Sequence, residues 1–183
     1  AGYVDISMIE GRFLDTLQTL ASQVAGSENA AEIEEVITGI ISYGQSLSNG
    51  GGSERVITTA PASPTFLCFD GVVLSPGTAH AELTPLIEVS VETCASGLAE
   101  MFKSSYENQY VRRGLNSNLL LSCPGQGGLP IASFQKGQAR YTNLMADIQG
   151  GYDLAVAQGK TYKCRVVTWT QGETNSNADV AYY

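Results

Sequence analysis

Three short blocks of this chain carry groups suited to acyl transfer. Ser46 stands in "YGQSLSNG", residues 43–50, where an apolar run gives way to glycine. The second block, Gly125 to Gly128, follows the apolar run "SNLLLSC", and the third, Trp169 to Glu173, closes "YKCRVVTWT". A serine hydroxyl is a poor nucleophile until it is positioned and relieved of its proton. At a strand end that opens a helical turn, its Oγ is fixed and backbone N–H groups point at the reacting atom. Such N–H groups can stabilise the oxyanion of a tetrahedral intermediate. A glycine at 127 or 128 lets another N–H approach, because no Cβ intervenes. Gln171 could add a side-chain amide donor. The ordinary alternative is that Ser46 is a turn or cap residue, as strand-end serines usually are.

Other chemistries fit less well. Glycoside hydrolysis needs two facing carboxyl groups; Glu173 would serve as one, but Asp70 in "FDGVV" reads as a turn residue. The run "SNGGGSER" lacks the G-x-x-x-x-G-K-[ST] spacing of a phosphate loop and reads as a flexible loop at a cleft edge. Cys68, Cys94, Cys123 and Cys164 are far apart with no C-x-x-C pair, so no metal site is expected. Three of them lie in apolar runs, which favours buried free thiols over disulfides and leaves the compartment open. No cofactor is implied. The single histidine, His80 in "LSPGTAHAEL", is a candidate base by residue type alone. Nothing in the sequence places it near Ser46, so a loop or cleft-lining role is expected instead.

The elements that must position these groups alternate. Ile6, Ile9, Phe13, Leu17, Leu20 and Val24 keep to one helical stripe, Gly26 supplies a stop, and Ser27 caps a second short helix, "ENAAEIEEVI". This segment, residues 1–37, either docks on the domain or associates with other copies through residues 5–25. Its apolar run is shorter than the three or four heptads of a coiled coil. Residues 38–183 form the second unit. "ITGIISY" is a β-branched strand, and "PTFLCFDGVVL" holds one or two strands about Asp70-Gly71. A helix is expected from Thr84 to Tyr106, with Leu86, Val89, Leu98 and Met101–Phe102 on its buried side. "SNLLLSC" is a strand ended by Pro124-Gly125, residues 137–159 form a helix weakened by Gly150-Gly151, and "YKCRVVTWT" is the last strand. Strand and helix in alternation predict βαβ units and a mostly parallel sheet. Ligands then bind beyond the carboxyl ends of the strands, where all three blocks fall.

Together "YGQSLSNG", "GQGGLPIASF" and "VTWTQGETN" resemble the sequence blocks of SGNH-type esterases, in the branch of sialate O-acetylesterase-like and acetylxylan esterase-like enzymes. The Trp169-Thr170-Gln171-Gly172-Glu173 stretch is the most specific, and the likeness runs from about Ile40 to Tyr183. "ETCASGLAEMF" also sits where that branch has a Glu–Gly–Leu helix segment. The resemblance implies a three-layer α/β/α sandwich with a flavodoxin-like sheet, hydrolysing acetyl esters of carbohydrates or polysaccharides. It makes Ser46 the nucleophile, with the Ser46 N–H, the Gly128 (or Gly127) N–H and the Gln171 amide as oxyanion hole. Gln45, Glu173 and Asn175 would support the cleft, and Trp169 would lie under the site or serve as a core aromatic. Leu47 replaces the asparagine that usually follows the serine, and Leu129-Pro130 replaces a small hydroxyl residue. The family's histidine comes from an Asp-x-x-His block that this sequence lacks, so a further C-terminal segment or chain is expected to supply it. The alternatives are a glycan-binding module without catalysis and a structural protein of the phage tail fibre or spike kind.

Composition narrows the partners. With 10 Lys and Arg against 18 Asp and Glu, the net charge is −8, which repels phosphate backbones and anionic membranes. No stretch approaches 18 consecutive apolar residues, so no membrane partner is expected.

Overall fold

A computed structural model describes residues 35–75, 77, 79–110, 117–172 and 174 of the chain. The N-terminal helical stripe, with the stretch 5–25 assigned to docking or self-association, lies outside the described residues, as do Glu173 and Asn175. The elements are β1 (Val36–Gly44), β2 (Phe66–Phe69), β3 (Leu83–Pro85), α1 (Cys94–Tyr110), β4 (Ser117–Ser122), α2 (Ala139–Ala157) and β5 (Thr161–Thr170). Two 3-10 turns, Ser46–Asn49 and Ile131–Phe134, follow β1 and precede α2.

The strands form one mixed sheet in the order β3-β2-β4-β1-β5. β1 runs parallel to β4 and β5, β2 runs parallel to β4, and β3 is antiparallel to β2. The described fold is therefore of the α/β class. Its order departs from the flavodoxin-like 2-1-3-4-5, in which the second strand lies beside the first. Here Phe66 and Leu67 of β2 pair with Leu119 and Leu120, so β4 separates β2 from β1.

β1 is rich in β-branched residues, and Ile37, Ile40, Ile41 and Tyr43 are all buried, as befits a strand with a neighbour on each side. Val36 and Ile37, expected to end a helix, already pair with Ser117 and Asn118, so the boundary expected at 37/38 falls inside a strand. Alternation along the strands divides the core. Ile40, Phe66, Cys68, Leu119 and Leu121 pack with Ala95 and Ala99 of α1. Ile37, Phe69 and Leu120 pack with Ala155 of α2, and Ile41 and Tyr43 pack with Phe134 and Leu144. Full burial of each large apolar side chain stabilises by roughly 1.5–3 kcal/mol.

The helix expected from Thr84 begins ten residues later, at Cys94. Leu83–Pro85 instead pairs with Leu67–Phe69, and Pro85 is tolerated because β3 is an edge strand. Buried Glu88 fixes the true start: its Oε1 accepts from the Thr93 N–H (3.0 Å) and the Ser96 hydroxyl (2.6 Å). Leu86 is buried as expected, whereas Val89 and Met101 are exposed. In α2, Gly150 and Gly151 do not break the helix. A Cβ on Gly151 would stand 2.7 Å from the Tyr162 ring and one on Gly150 2.7 Å from His80, so close packing explains both.

Candidate functional site

The pairing register sets the three loops side by side. Ile41 pairs with Ser122 and Gly44 with Thr170, so β1, β4 and β5 end along one edge of the sheet. Gly44, at the end of β1, has φ 141°, and a Cβ there would lie 1.9 Å from the Thr170 carbonyl oxygen. Only glycine fits this bend. The chain then passes through Gln45 and turns at once into the 3-10 turn that Ser46 opens.

Glycines surround Ser46. A Cβ on Gly51 would stand 2.6 Å from the Ser46 Cβ, and one on Gly127 3.2 Å from it. The Gly51 N–H donates to the Ser46 carbonyl at 2.6 Å. In the second loop, a Cβ on Gly125 would meet the Gly44 carbonyl at 2.3 Å and Asn49 Oδ1 at 2.7 Å, while the Gln126 N–H donates to the Gly44 carbonyl. Two backbones thus approach the serine closely. The residue that comes against Ser46 is Gly127; Gly128 is the exposed next residue, at φ 76° with open space beside it.

Gln45 fastens the third loop. Its side chain is buried at 1% exposure. Its Oε1 accepts from the Gly172 N–H (3.2 Å) and the Thr174 N–H (3.3 Å), and its amide nitrogen donates to the Thr174 hydroxyl. The Gln45 N–H in turn donates to the Thr170 carbonyl at 2.9 Å. Gln45, assigned to supporting the cleft, is a buried tie that holds the segment carrying Gln171 beside the Ser46 turn. Gln171 itself is half-buried. Ser42 and Ser48 brace the turn from below: the Ser42 hydroxyl donates to the Ser48 carbonyl (3.0 Å) and the Ser48 hydroxyl to the Gln45 carbonyl (2.6 Å).

Tyr43, Phe134 and Trp169 form an aromatic cluster with centroids 5.4–5.6 Å apart. The Tyr43 hydroxyl donates to the Phe134 carbonyl, and burial pushes its pKa up to about 12. Trp169 keeps 49% exposure, so it is neither a buried core residue nor hidden beneath the site. Leu47 is exposed. All four cysteines are free: Cys68 and Cys123 are buried, whereas Cys94 is exposed and borders an apolar cavity of about 240 Å³ with Ile40, Leu98 and Thr168.

His80 is sequestered. Its side chain is 1% exposed, with Nδ1 3.1 Å from Asp70 Oδ2 and Nε2 3.0 Å from Asp147 Oδ1. The ring stacks on Phe69 at 3.7 Å. Burial acts against the charged ring, but the hydrogen bonds to Asp147 and Asp70 outweigh it and hold the pKa above the ordinary value. A general base needs a ring nitrogen turned to the nucleophile. Both of these face carboxyl groups. Asp70, at φ 52° in the turn after β2, accepts from the Ala81 and Glu82 N–H groups, as its turn-residue reading predicts.

Residue-type reasoning missed Gly44, Gly51, Gly125 and Thr174. The signal for Gly51 and Gly125 was the glycine density of "SNGGGS" and "CPGQGG", and Gly44 stands alone in "YGQS"; nothing in the sequence marked Thr174 as the partner of Gln45. Among the described residues no cluster of three His, Cys, Asp or Glu could hold a metal ion. No helix among them is long and apolar enough to cross a membrane. The fold and site thus define an α/β protein with a serine held at the carboxyl edge of its sheet. No protein-family model matches the chain, and comparison with curated proteins finds no match.

Proposed function

We propose that this protein is a serine esterase that removes O-acetyl groups from a carbohydrate or polysaccharide through an acyl-enzyme at Ser46. The observation that carries the reading is the convergence on Ser46: Gly51 and Gly127 lie against its Cβ, and Gln45 ties in the loop bearing Gln171. Ser46 Oγ attacks the acetyl carbonyl, and the Ser46 N–H, the N–H of Gly128 or Gly127 and the Gln171 amide receive the oxyanion. The intermediate collapses, the ester C–O bond breaks and the sugar hydroxyl leaves with the proton taken from Ser46, carried by a histidine that a further segment or chain supplies. Water activated by the same histidine then hydrolyses the acyl-enzyme, releasing acetate and restoring the Ser46 hydroxyl. Glu173 and Asn175 are assigned to supporting the cleft. In this reading α1 and α2 cover opposite faces of the sheet, as in an SGNH three-layer sandwich.

The reading is tested by treating the protein with a fluorophosphonate serine probe and by measuring acetate release from acetylated xylan. One adduct at Ser46, lost with activity in Ser46→Ala, is expected. Equal acetate release by parent and Ser46→Ala would refute the assignment.

A second reading, a glycan-binding or fibre-type structural module that keeps the cleft without catalysis, is favoured by one observation. The chain's single histidine faces two carboxyl groups, so it offers Ser46 no base. Binding of acetylated oligosaccharide without turnover or probe adduct would support that module.

A further inference from the structure

The connection from β2 to β3 is joined to α2 by a polar cluster that is buried at Ser75, His80 and Asp147 and opens to solvent at Asp70. From the β2 side, Asp70 accepts from the Ala81 N–H (2.9 Å) and the Glu82 N–H (3.0 Å) and faces His80 Nδ1. From α2, fully buried Asp147 places one oxygen, Oδ1, 2.6 Å from the Ser75 hydroxyl and 3.0 Å from His80 Nε2. Its other oxygen, Oδ2, is buried with no hydrogen-bond partner among the described residues. Ser75 also accepts from the Gly77 N–H, at 3.1 Å. His80 is therefore the central member, stacked on Phe69 and fitted against Gly150.

Proton arithmetic follows from this geometry. Ionised carboxylates only accept hydrogen bonds, so a ring that satisfies two of them must carry both N–H protons. When one proton leaves, a bare nitrogen lone pair faces a carboxylate oxygen about 3 Å away, a contact that is most costly on the Asp147 side, where both groups are buried. We propose that His80 is a proton-operated latch: it clamps the β2–β3 connection to α2 while both ring nitrogens are protonated, and releases it when one proton is lost. The charged and titratable groups around it are Asp70 after β2, Glu82 in the connection, Asp147 and Asp153 on α2, and Tyr162 of β5 behind Asp147. Release widens the open groove of about 400 Å³ that Gly77, Ala79, His80, Ala146 and Leu154 already line. It also loosens Val73, whose carbonyl accepts from the Cys123 N–H at the root of the loop that brings Gly127 to Ser46. The latch stands whether or not Ser46 is a nucleophile.

Because the chain has one histidine, its ring signals need no assignment. The test follows the His80 ring ¹⁵N–¹H signals and the amide protection factors of the whole protein across pH. Two ring N–H signals are expected to persist above pH 6.5, the ordinary histidine midpoint. As one disappears, the protection factors of Gly77, Ala81 and Glu82 should fall at least tenfold while those of buried Leu119 and Leu121 hold. A ring that titrates at or below the ordinary midpoint overturns the proposal, as do protection factors that stay constant through the step. Asp147→Asn, close in shape, should bring the midpoint down toward the ordinary value; an unmoved midpoint in a folded variant would also overturn it.

Discussion

Gln45→Met keeps most of the side-chain volume in its socket and removes the hydrogen bonds the amide makes. In the parent, Gln45 is 1% exposed and bonds the Gly172 N–H, the Thr174 N–H and the Thr174 hydroxyl. Each such bond contributes about 1 kcal/mol net. Thr174 is exposed, so water can take over part of the loss on the loop side. The expected destabilisation is therefore about 2–3 kcal/mol. For a domain of this size that corresponds to a fall in Tm of about 5–10 °C. Gln45→Ala should lose a further ~1–2 kcal/mol through the cavity it leaves. Thermal unfolding followed by circular dichroism measures both. The rate of fluorophosphonate labelling at Ser46 should fall in both variants, because Gln171 loses the tie that positions its segment. If both variants melt within about 1 °C of the parent, the third loop is held by other contacts and the reasoning fails.

Gly125→Ala forces a Cβ to 2.3 Å from the Gly44 carbonyl and should destabilise by about 1–3 kcal/mol or more, as overpacking does, read from urea midpoints. Gly127→Ala places its Cβ at 3.2 Å from Ser46, so stability should change little while Ser46 labelling slows; an unchanged labelling rate counts against a role for that approach. Stability should also peak in weak acid. His80 is raised in the folded protein, so its contribution is full below the unfolded value of 6.5 and is lost as pH rises through the folded value. Asp70 and Glu92 are lowered: burial alone would raise them, but hydrogen bonds from Ala81, Glu82 and His80 and from Thr58 and Ile57 prevail. Their contributions are present above the unfolded values of 3.8 and 4.5 and are lost as pH falls through the folded ones. A Tm profile that rises steadily from pH 6.5 to 9 would refute this assignment. Finally, a thiol reagent applied to the native protein should modify Cys94 first and spare Cys68 and Cys123, which are buried and whose thiols burial pushes up; peptide mapping reads the order.

Much of the fold was legible because its signals are local. The β-branched run at 37–43 and the leucines at 119–121 announce buried strands, and Gly159 stands just past the end of α2. The serine at the end of β1 and the glycine loops beyond β4 and β5 could likewise be read from spacing, because parallel strands bring their carboxyl ends to one edge. Tertiary contacts decided the rest. The segment 84–93 has helical-looking apolar spacing, but pairing with β2 takes Leu83–Pro85 and Glu88 delays the helix to Cys94. Gly150 and Gly151 read as breakers and serve as clearances, since the rings they admit lie far away in sequence. His80 looked like a loop residue because its partners, Asp70 and Asp147, lie 10 and 67 positions away. Periodicity fixes which face of an element is apolar. Which side chain meets which across the sheet depends on strand order and register, and those are settled only when the whole core packs.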